Sequence, residues 1–158
     1  MPTRDESSDD APWTERRRLV IERGLHAGMT TRLVRTFTQE DITAFARITG
    51  DRNPYHLEGA FAVQSRFGGP IAHGLLVASM ITEIGGELAW LATGMTFRFL
   101  APVYAGDTIT VEMTVRSVSE KNFAHAQAVW TNQHGKVVLT GELAGYPPTR
   151  EQSKLLER

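Results

Sequence analysis

Asp51 and His56 are the residues of this sequence whose types and spacing best fit proton-transfer chemistry. They lie at the two ends of the stretch DRNPYH, in which Pro54 fixes its own φ and biases Asn53 toward an extended conformation. A loop with so few shapes available can hold a carboxylate and an imidazole on one small target, where the pair would divide acid–base work. The alternative is a loop tied by Asx-type hydrogen bonds in which His56 only fills space. The residue types leave both interpretations open.

A second candidate feature is the segment PIAHGLL, residues 70–76, which begins the most apolar run of the chain. The start of a buried helix presents unpaired backbone N–H groups and the positive end of the helix dipole. Gly74 would leave its N–H open, and a ligand carbonyl placed there would have its developing negative charge stabilised as in an oxyanion hole. Close packing alone would also explain Gly74, and nothing in the sequence excludes that explanation.

Other kinds of site have little support. The chain has no cysteine, which excludes disulfides, thiolate metal sites and a cysteine nucleophile. No pair among the five histidines has the spacing of a helical zinc motif, and the glycine-rich phosphate-binding and serine-nucleophile motifs are missing. We therefore expect neither a metal nor a cofactor.

The composition predicts one globular domain whose net charge does not favour binding to a highly charged partner. The 158 residues are 41% hydrophobic and 22% charged, and 17 Lys and Arg against 18 Asp and Glu give a formal net charge of −1. That balance offers no pull toward nucleic acid or an acidic membrane surface. The polar start MPTRDESSDD is unlike a secretion signal, and no segment has the length of a bilayer span, so we expect a cytoplasmic protein.

Hydrophobic periodicity predicts an α+β fold. A first strand, TTRLVRTF, precedes a short helix with Thr38 as N-cap, Asp41 at its third position and Gly50 as its stop. One long buried helix follows from residue 71, and then come about four antiparallel strands with period-two alternation. This order predicts a sheet wrapped round a central helix. Such a sheet leaves an edge strand, so we expect a homodimer that continues the sheet.

Several spaced elements of the sequence match one family motif in order. They are DRNPYH at 51–56, FA at 61–62, Phe67, IAHGL at 71–75 and FLAPVYAGDTITV at 99–111. Together they closely resemble the hydratase–dehydratase motif of the MaoC-like family, whose fold is the hot dog fold and which includes (R)-specific enoyl-CoA hydratases. The similarity covers roughly Thr31 to Tyr146. It implies a hot dog domain over residues 26–148, between a flexible N-terminal arm (1–25) and a charged C-terminal tail (149–158).

The resemblance implies a hydro-lyase that hydrates a trans-2-enoyl-CoA to a 3-hydroxyacyl-CoA and catalyses the reverse dehydration. Asp51 is then expected to be the principal base and His56 its partner, with a rate that falls as the pH drops through the titration of the pair. Asn53 would orient the loop or the water. No metal or redox cofactor is implied, because CoA is part of the substrate.

The resemblance also implies a substrate-binding set on the central helix. The Gly74 N–H would polarise the thioester carbonyl, His73 would shape the start of the helix, and Thr82 stands where a serine is often found near the acyl group. Here the chain departs from the family: GGELAWLATGMTFRF runs directly into the next strand without the usual Pro-Gly segment. Met80, Ile84 and Trp90 are candidates to line the acyl site, and each could equally belong to the core.

Three other functions fit the same residues less well. A dehydratase acting on 3-hydroxyacyl groups of acyl carrier protein would use the same site. A hot dog thioesterase would direct the activated water at the thioester carbonyl instead of the double bond. A non-catalytic acyl-CoA-binding module would need a partner or DNA-binding segment, and the first thirty residues show no helix-turn-helix pattern.

Overall fold

Seven helices and five strands make up residues 10–156, the part of the chain that the computed structural model describes, with side chains described from residue 16 onward. The strands are β1 (Thr30–Thr36), β2 (Leu91–Phe99), β3 (Thr108–Val118), β4 (Ala124–Thr131) and β5 (Val137–Tyr146). The helices are α1 (Asp10–Arg23), α2 (Gln39–Thr49), α3 (Pro54–Leu57), α4 (Gly59–Gln64), α5 (Gly74–Ala78), α6 (Met80–Glu87) and α7 (Arg150–Leu155). All strand pairs are antiparallel, in the order β1-β3-β4-β5-β2.

The middle of the sheet forms as its alternating pattern predicts. On β3, Ile109, Val111, Met113 and Val115 are all at most 1% exposed. The facing residues of β4 are alanines and Trp130, and the register pairs Met113 with Ala128. Because alanines leave room above the sheet, the apolar residues of α5 and α6 pack into one core cluster with these strands.

The central helix is interrupted, which the sequence did not predict. Helix α5 ends at Ala78 and α6 begins at Met80, with Ser79 between them at φ −61° and ψ −15°. The Ser79 hydroxyl donates to the Leu76 carbonyl at 2.6 Å, and the Thr82 hydroxyl donates to the Ser79 carbonyl at 2.7 Å. Such hydroxyl bonds to preceding carbonyls compete with the helical backbone bonds and bend helices. The expected single long helix is therefore two shorter ones in succession.

Helix α2 has the predicted ends and delivers the chain to the candidate loop. Thr38 and Asp41 form a capping box, in which the Thr38 hydroxyl accepts the Asp41 N–H at 3.1 Å. Phe37 and Ile42, which occupy the two positions of a hydrophobic staple, are both fully buried. Gly50 adopts φ 77° after the last turn, and its N–H donates to the Ala46 carbonyl at 2.9 Å. The position of the next residue, Asp51, is thus fixed by the helix end.

The described parts of the two terminal segments contain helices that pack against the domain, α1 and α7, and the division into an arm, a domain and a tail stays a prediction. Arg16 of α1 forms an ion pair with Glu87 of α6, which is 1% exposed, and Val20 of α1 is 1% exposed within the core cluster. At the other end, Ser153 of α7 is buried, and α7 lies against α1. A buried carboxylate is costly unless it is paired, so Glu87 ties α1 to the domain. Residues 1–9 of the expected arm and 157–158 of the expected tail lie outside the described residues.

Within residues 10–156, two strands of the sheet have an unpaired edge, β1 and β2. Most of β2 is exposed, including Leu91 and Met95, whereas the central strands alternate between buried and exposed.

None of the helices within residues 10–156 has the length and apolar character that a membrane crossing requires.

Candidate active site

The Asp51 to His56 loop is held by its own side chains. The Asn53 N–H donates to Asp51 Oδ1 at 3.1 Å, and the Tyr55 N–H donates to Asn53 Oδ1 at 3.2 Å, which caps α3. These are the Asx-type bonds of the purely structural interpretation. They engage only one carboxylate oxygen of Asp51, and the other, Oδ2, faces two histidines. The structural and the chemical interpretations of this loop are therefore compatible.

Asp51 Oδ2 lies 3.9 Å from His56 Nε2. On the other side of the ring, His56 Nδ1 lies 2.7 Å from the Ile71 carbonyl oxygen. Because a carbonyl can only accept, Nδ1 carries the hydrogen, and Nε2 of the neutral ring presents a lone pair toward the carboxylate. The distance of 3.9 Å is too long for a direct hydrogen bond and allows a water molecule to bond to both atoms.

His73 lies directly behind this pair. Its ring stacks on that of His56, with centroids 3.8 Å apart and planes inclined by 29°. Its Nε2 lies 3.0 Å from the Asp51 carbonyl oxygen, so Nε2 carries the hydrogen and donates it. The side chain is 2% exposed, and burial is the main cause that lowers the pKa of His73 below 6.5, with the neighbouring His56 adding to it. The hydrogen bond to Asp51 and its carboxylate oppose that shift.

Asp51, His56 and His73 also place three potential metal ligands within 4.8 Å of one another. His73 Nε2 bears the hydrogen donated to the Asp51 carbonyl, which removes that nitrogen from a ligand set. Apart from the buried His73 Nδ1, His56 Nε2 and the Asp51 carboxylate then remain as the free donors, fewer than the three protein ligands typical of a catalytic zinc site. The donor set fits a bridging water better than a metal ion.

These residues open onto an apolar pocket of about 430 Å³. One group of lining residues lies within 45–77, namely Phe45, Thr49, Asp51, His56, Arg66, Phe67, Ile71, Ala72, His73, Gly74, Leu75 and Val77. The other wall consists of Phe99, Leu100, Ala101, Pro102, Val103, Val138 and Leu139. Asp51, His56, His73 and Gly74 are thus brought together, and apart from Thr49 and Arg66 the remaining lining residues are apolar, which suits a largely apolar ligand.

Gly74 lies at the point where the polar group and the apolar wall meet. It is the first residue of α5, so its N–H has no partner inside the helix, and no other described residue accepts a hydrogen bond from it. A Cβ at this position would lie 2.6 Å from the Cδ1 and Cε1 atoms of Phe99. Both predicted roles of Gly74, an open N–H and close packing, are therefore compatible with the geometry.

The other residues predicted for the site do not line this pocket in the single chain. Thr82 is exposed and away from the pocket lining, and its hydroxyl is used by the Ser79 carbonyl. Met80, Ile84 and Trp90 are buried in the core cluster and do not line the pocket. Asn53 acts through the loop backbone instead of facing the pocket.

The sequence did not predict that residues 99–103, Val138 and Leu139 form the second wall of the pocket, or that Arg66 lines it. Residues 99–103 were recognised only as part of a family motif, because an irregular segment after a strand carries no periodic pattern. Among the described residues, Arg66 is the only Lys or Arg that lines the pocket, and its guanidinium lies 4.9 Å from the ring centroid of Phe67. An isolated arginine in a loop gives no signal of this kind in the sequence.

Comparison with known proteins assigns the chain to a family. A model of the MaoC like domain matches residues 23–137. The protein belongs to the MaoC-like family. This MaoC-like chain is 33% identical over 140 residues to the 3-hydroxybutyryl-CoA dehydratase of Methylorubrum extorquens, covering 86% of this chain and 89% of that protein. It is 34% identical over 123 residues to the (R)-specific enoyl-CoA hydratase of Aeromonas caviae, covering 75% and 92% of the two chains.

Solved structures of related proteins confirm the expected hot dog fold of this MaoC-like domain. The (R)-hydratase of Aeromonas caviae superposes with a TM-score of 0.75 and 33% identity, over 80% of this chain and 99% of that chain. The R-hydratase PhaJ1 of Pseudomonas aeruginosa gives a TM-score of 0.74 and 32% identity, over 79% and 83%. About a fifth of this chain therefore has no counterpart in either structure.

Proposed function

We propose that this protein is a hydro-lyase that adds water across the 2,3-double bond of a trans-2-enoyl-CoA to give an (R)-3-hydroxyacyl-CoA, and that catalyses the reverse dehydration. The observation that carries the proposal is the placement of Asp51 Oδ2 and His56 Nε2, 3.9 Å apart, on an apolar pocket that also contains Gly74. The relatives named above support the reaction class and the stereochemistry.

The proposed reaction begins with one water held between Asp51 Oδ2 and His56 Nε2. His56 Nε2 accepts a proton from the water while the water oxygen forms its bond to C3, and the electron pair of the double bond moves toward the thioester carbonyl. The imidazolium then returns the proton to C2. One water is thereby added across the double bond, and the enzyme regains its starting state.

The surroundings of His56 support its role as the proton acceptor. Its Nδ1–H already donates to the Ile71 carbonyl at 2.7 Å, and this bond strengthens when the ring becomes positive. The Asp51 carboxylate lies beside the nitrogen that gains the proton and stabilises the cation. In this assignment Asp51 orients the water and stabilises the imidazolium, a different division from the sequence expectation that Asp51 is the principal base.

The developing negative charge on the thioester oxygen needs a hydrogen-bond donor. The Gly74 N–H, which has no protein acceptor among the described residues, is the group we assign to it. The thioester carbonyl would then lie at the start of α5, with the acyl group against the apolar wall formed by Phe99 and its neighbours.

The proposal is tested by following absorbance of the enoyl thioester band with a panel of trans-2-enoyl-CoAs, together with chiral analysis of the product. We expect loss of the band without release of free thiol, and an (R)-3-hydroxyacyl product. Release of thiol from a saturated acyl-CoA would instead support a thioesterase. Turnover of acyl carrier protein esters alone would show that the substrate is bound to acyl carrier protein instead of CoA. Binding without any turnover would support a non-catalytic module.

We also propose that the protein forms a homodimer through β2. This edge strand exposes Leu91 by 68%, Met95 by 42% and Phe99 by 56%, and an apolar strand with a free edge invites pairing with a second copy. Phe99 lines the pocket as well, so the same contact would close the open side of the site.

Sedimentation analysis of two edge-strand variants tests this dimer. Met95→Glu places a charge on β2 and is expected to shift the protein toward monomer. Val34→Glu makes the matching change on β1, the other edge strand, where Val34 is 52% exposed, and should leave the dimer intact. A wild-type protein that sediments as a monomer, or a dimer broken only by Val34→Glu, would refute pairing through β2.

A further inference from the structure

His73 is a buried titratable residue that the proposed reaction steps do not use. Its side chain makes no capping bond at the start of α5, although His73 occupies the N-cap position there. The one hydrogen bond that its side chain makes to a described residue instead goes to the Asp51 carbonyl, 22 residues earlier in the chain. Shaping the helix start, the role expected from the sequence, therefore does not account for the imidazole.

The contacts of His73 link both members of the acid–base pair. Its Nε2–H holds the backbone of Asp51 at 3.0 Å, and its ring face lies against the His56 ring with centroids 3.8 Å apart. Phe45 of α2 packs against His73 with ring centroids 5.0 Å apart. The titratable groups that face His73 are Asp51 and His56.

We propose that His73 is a positioning residue for the hydration reaction: its Nε2–H fixes the Asp51 backbone while its neutral ring supports the His56 imidazole. The distance between Asp51 Oδ2 and His56 Nε2 depends on the placement of both residues, and His73 is the side chain that touches each of them. The inference rests on the proposed function, because it concerns the geometry that holds the attacking water.

The neutral state of His73 is part of this role. A stacked ring without charge presents its π face to the imidazolium that forms on His56, whereas a second cation at 3.8 Å would oppose it. Burial, which lowers the pKa of His73, keeps the ring neutral while His56 takes up a proton. The Nδ1 atom of His73 is buried and has no hydrogen-bond partner in the part of the chain that the structure describes, which is consistent with a ring that carries its hydrogen on Nε2.

Two substitutions separate the two contacts. His73→Gln can keep an N–H donor close to the position of Nε2 but removes the ring, whereas His73→Phe keeps a ring but removes the donor. We expect each to lower kcat by roughly 10- to 100-fold, since displacement of reacting groups by about 1 Å can cost that much, while KM changes less than about twofold. His125→Gln, the same change at an exposed histidine of β4, is the control and should retain wild-type kinetics.

Nitrogen NMR of the wild-type histidines provides a test that does not depend on how the variants fold. We expect His73 to be neutral with its hydrogen on Nε2 at pH 7, and His56 to carry its hydrogen on Nδ1. A cationic His73, or one with its hydrogen on Nδ1, would overturn the proposal. So would normal kcat in both variants per folded molecule. A wild-type protein without hydratase activity would refute the proposed function instead, and the tautomer would still test the link from His73 to Asp51.

Discussion

Asp51→Asn should lower kcat for enoyl-CoA hydration by about two to four orders of magnitude, with little change in KM, since positioned acid–base groups contribute rate factors of that size. The amide has the same shape, and its oxygen can still accept the Asn53 N–H that ties the loop. The carboxylate charge beside His56 Nε2 is lost, and an N–H donor takes the place of one acceptor for the water. Steady-state kinetics with crotonyl-CoA measure the effect.

The control for this variant is Asp107→Asn. The Asp107 carboxylate also accepts a nearby backbone N–H, that of Tyr104 at 2.8 Å, but Asp107 does not line the pocket. Its hydration rate should stay near that of the wild type.

His56→Gln should lose activity as Asp51→Asn does. The variant with both substitutions should be little worse than either single variant, because the effects of residues that act as a unit are non-additive. An Asp51→Asn protein with normal crotonyl-CoA hydration would refute the assignment.

Gly74→Ala should lower kcat by about 10- to 100-fold while the fold is retained, because the added methyl group shifts the carbonyl away from its donor. Its Cβ would lie 2.6 Å from two ring atoms of Phe99, a distance that forces one of them to move. Phe99 is 56% exposed in the single chain, where its ring can turn outward, and contact with the partner strand in the proposed dimer would raise the cost of that turn. Activity and thermal unfolding measured on the same sample separate the two effects.

A control and a second substitution decide between the two roles of Gly74. Gly86→Ala adds the same methyl group in α6 with no atom within 4 Å, and it should leave kcat unchanged. Phe99→Leu in the Gly74→Ala background removes the crowded ring atoms. If Gly74 serves the thioester carbonyl, activity remains low in the double variant, whereas full recovery would show that Gly74 serves packing alone.

Local signals in the sequence were sufficient to predict most elements of the fold. The capping box of Thr38 and Asp41, the stop at Gly50 and the period-two strands act over a few residues, so their patterns can be read without knowing the tertiary structure. The break at Ser79 was missed because the apolar pattern continues across it. The packing of α1 was missed because it depends on Glu87, 71 residues away from its partner Arg16.

In the candidate site, too, residues with a local sequence signal could be predicted, and contacts that depend on the tertiary structure could not. Asp51, Asn53 and His56 could be selected because they share six residues of chain, and the side-chain bonds of Asp51 and Asn53 lie within that loop, whereas the His56 ring is oriented by the distant Ile71 carbonyl. The stacking of His73 on His56 could not be predicted, since it requires the path of the intervening residues. Thr82 was selected from the family motif alone, and its expected place at the acyl group stays a prediction.

The two walls of the pocket suggest a practical division for protein engineering. The reactive groups come from one continuous stretch, residues 51–74, whereas much of the apolar surface comes from residues 99–103 and from Val138 and Leu139. A mutational library confined to the second group would leave every proposed proton-transfer atom unaltered. Selection from such a library could therefore retune the range of acyl groups accepted while the bond-making chemistry is inherited unchanged.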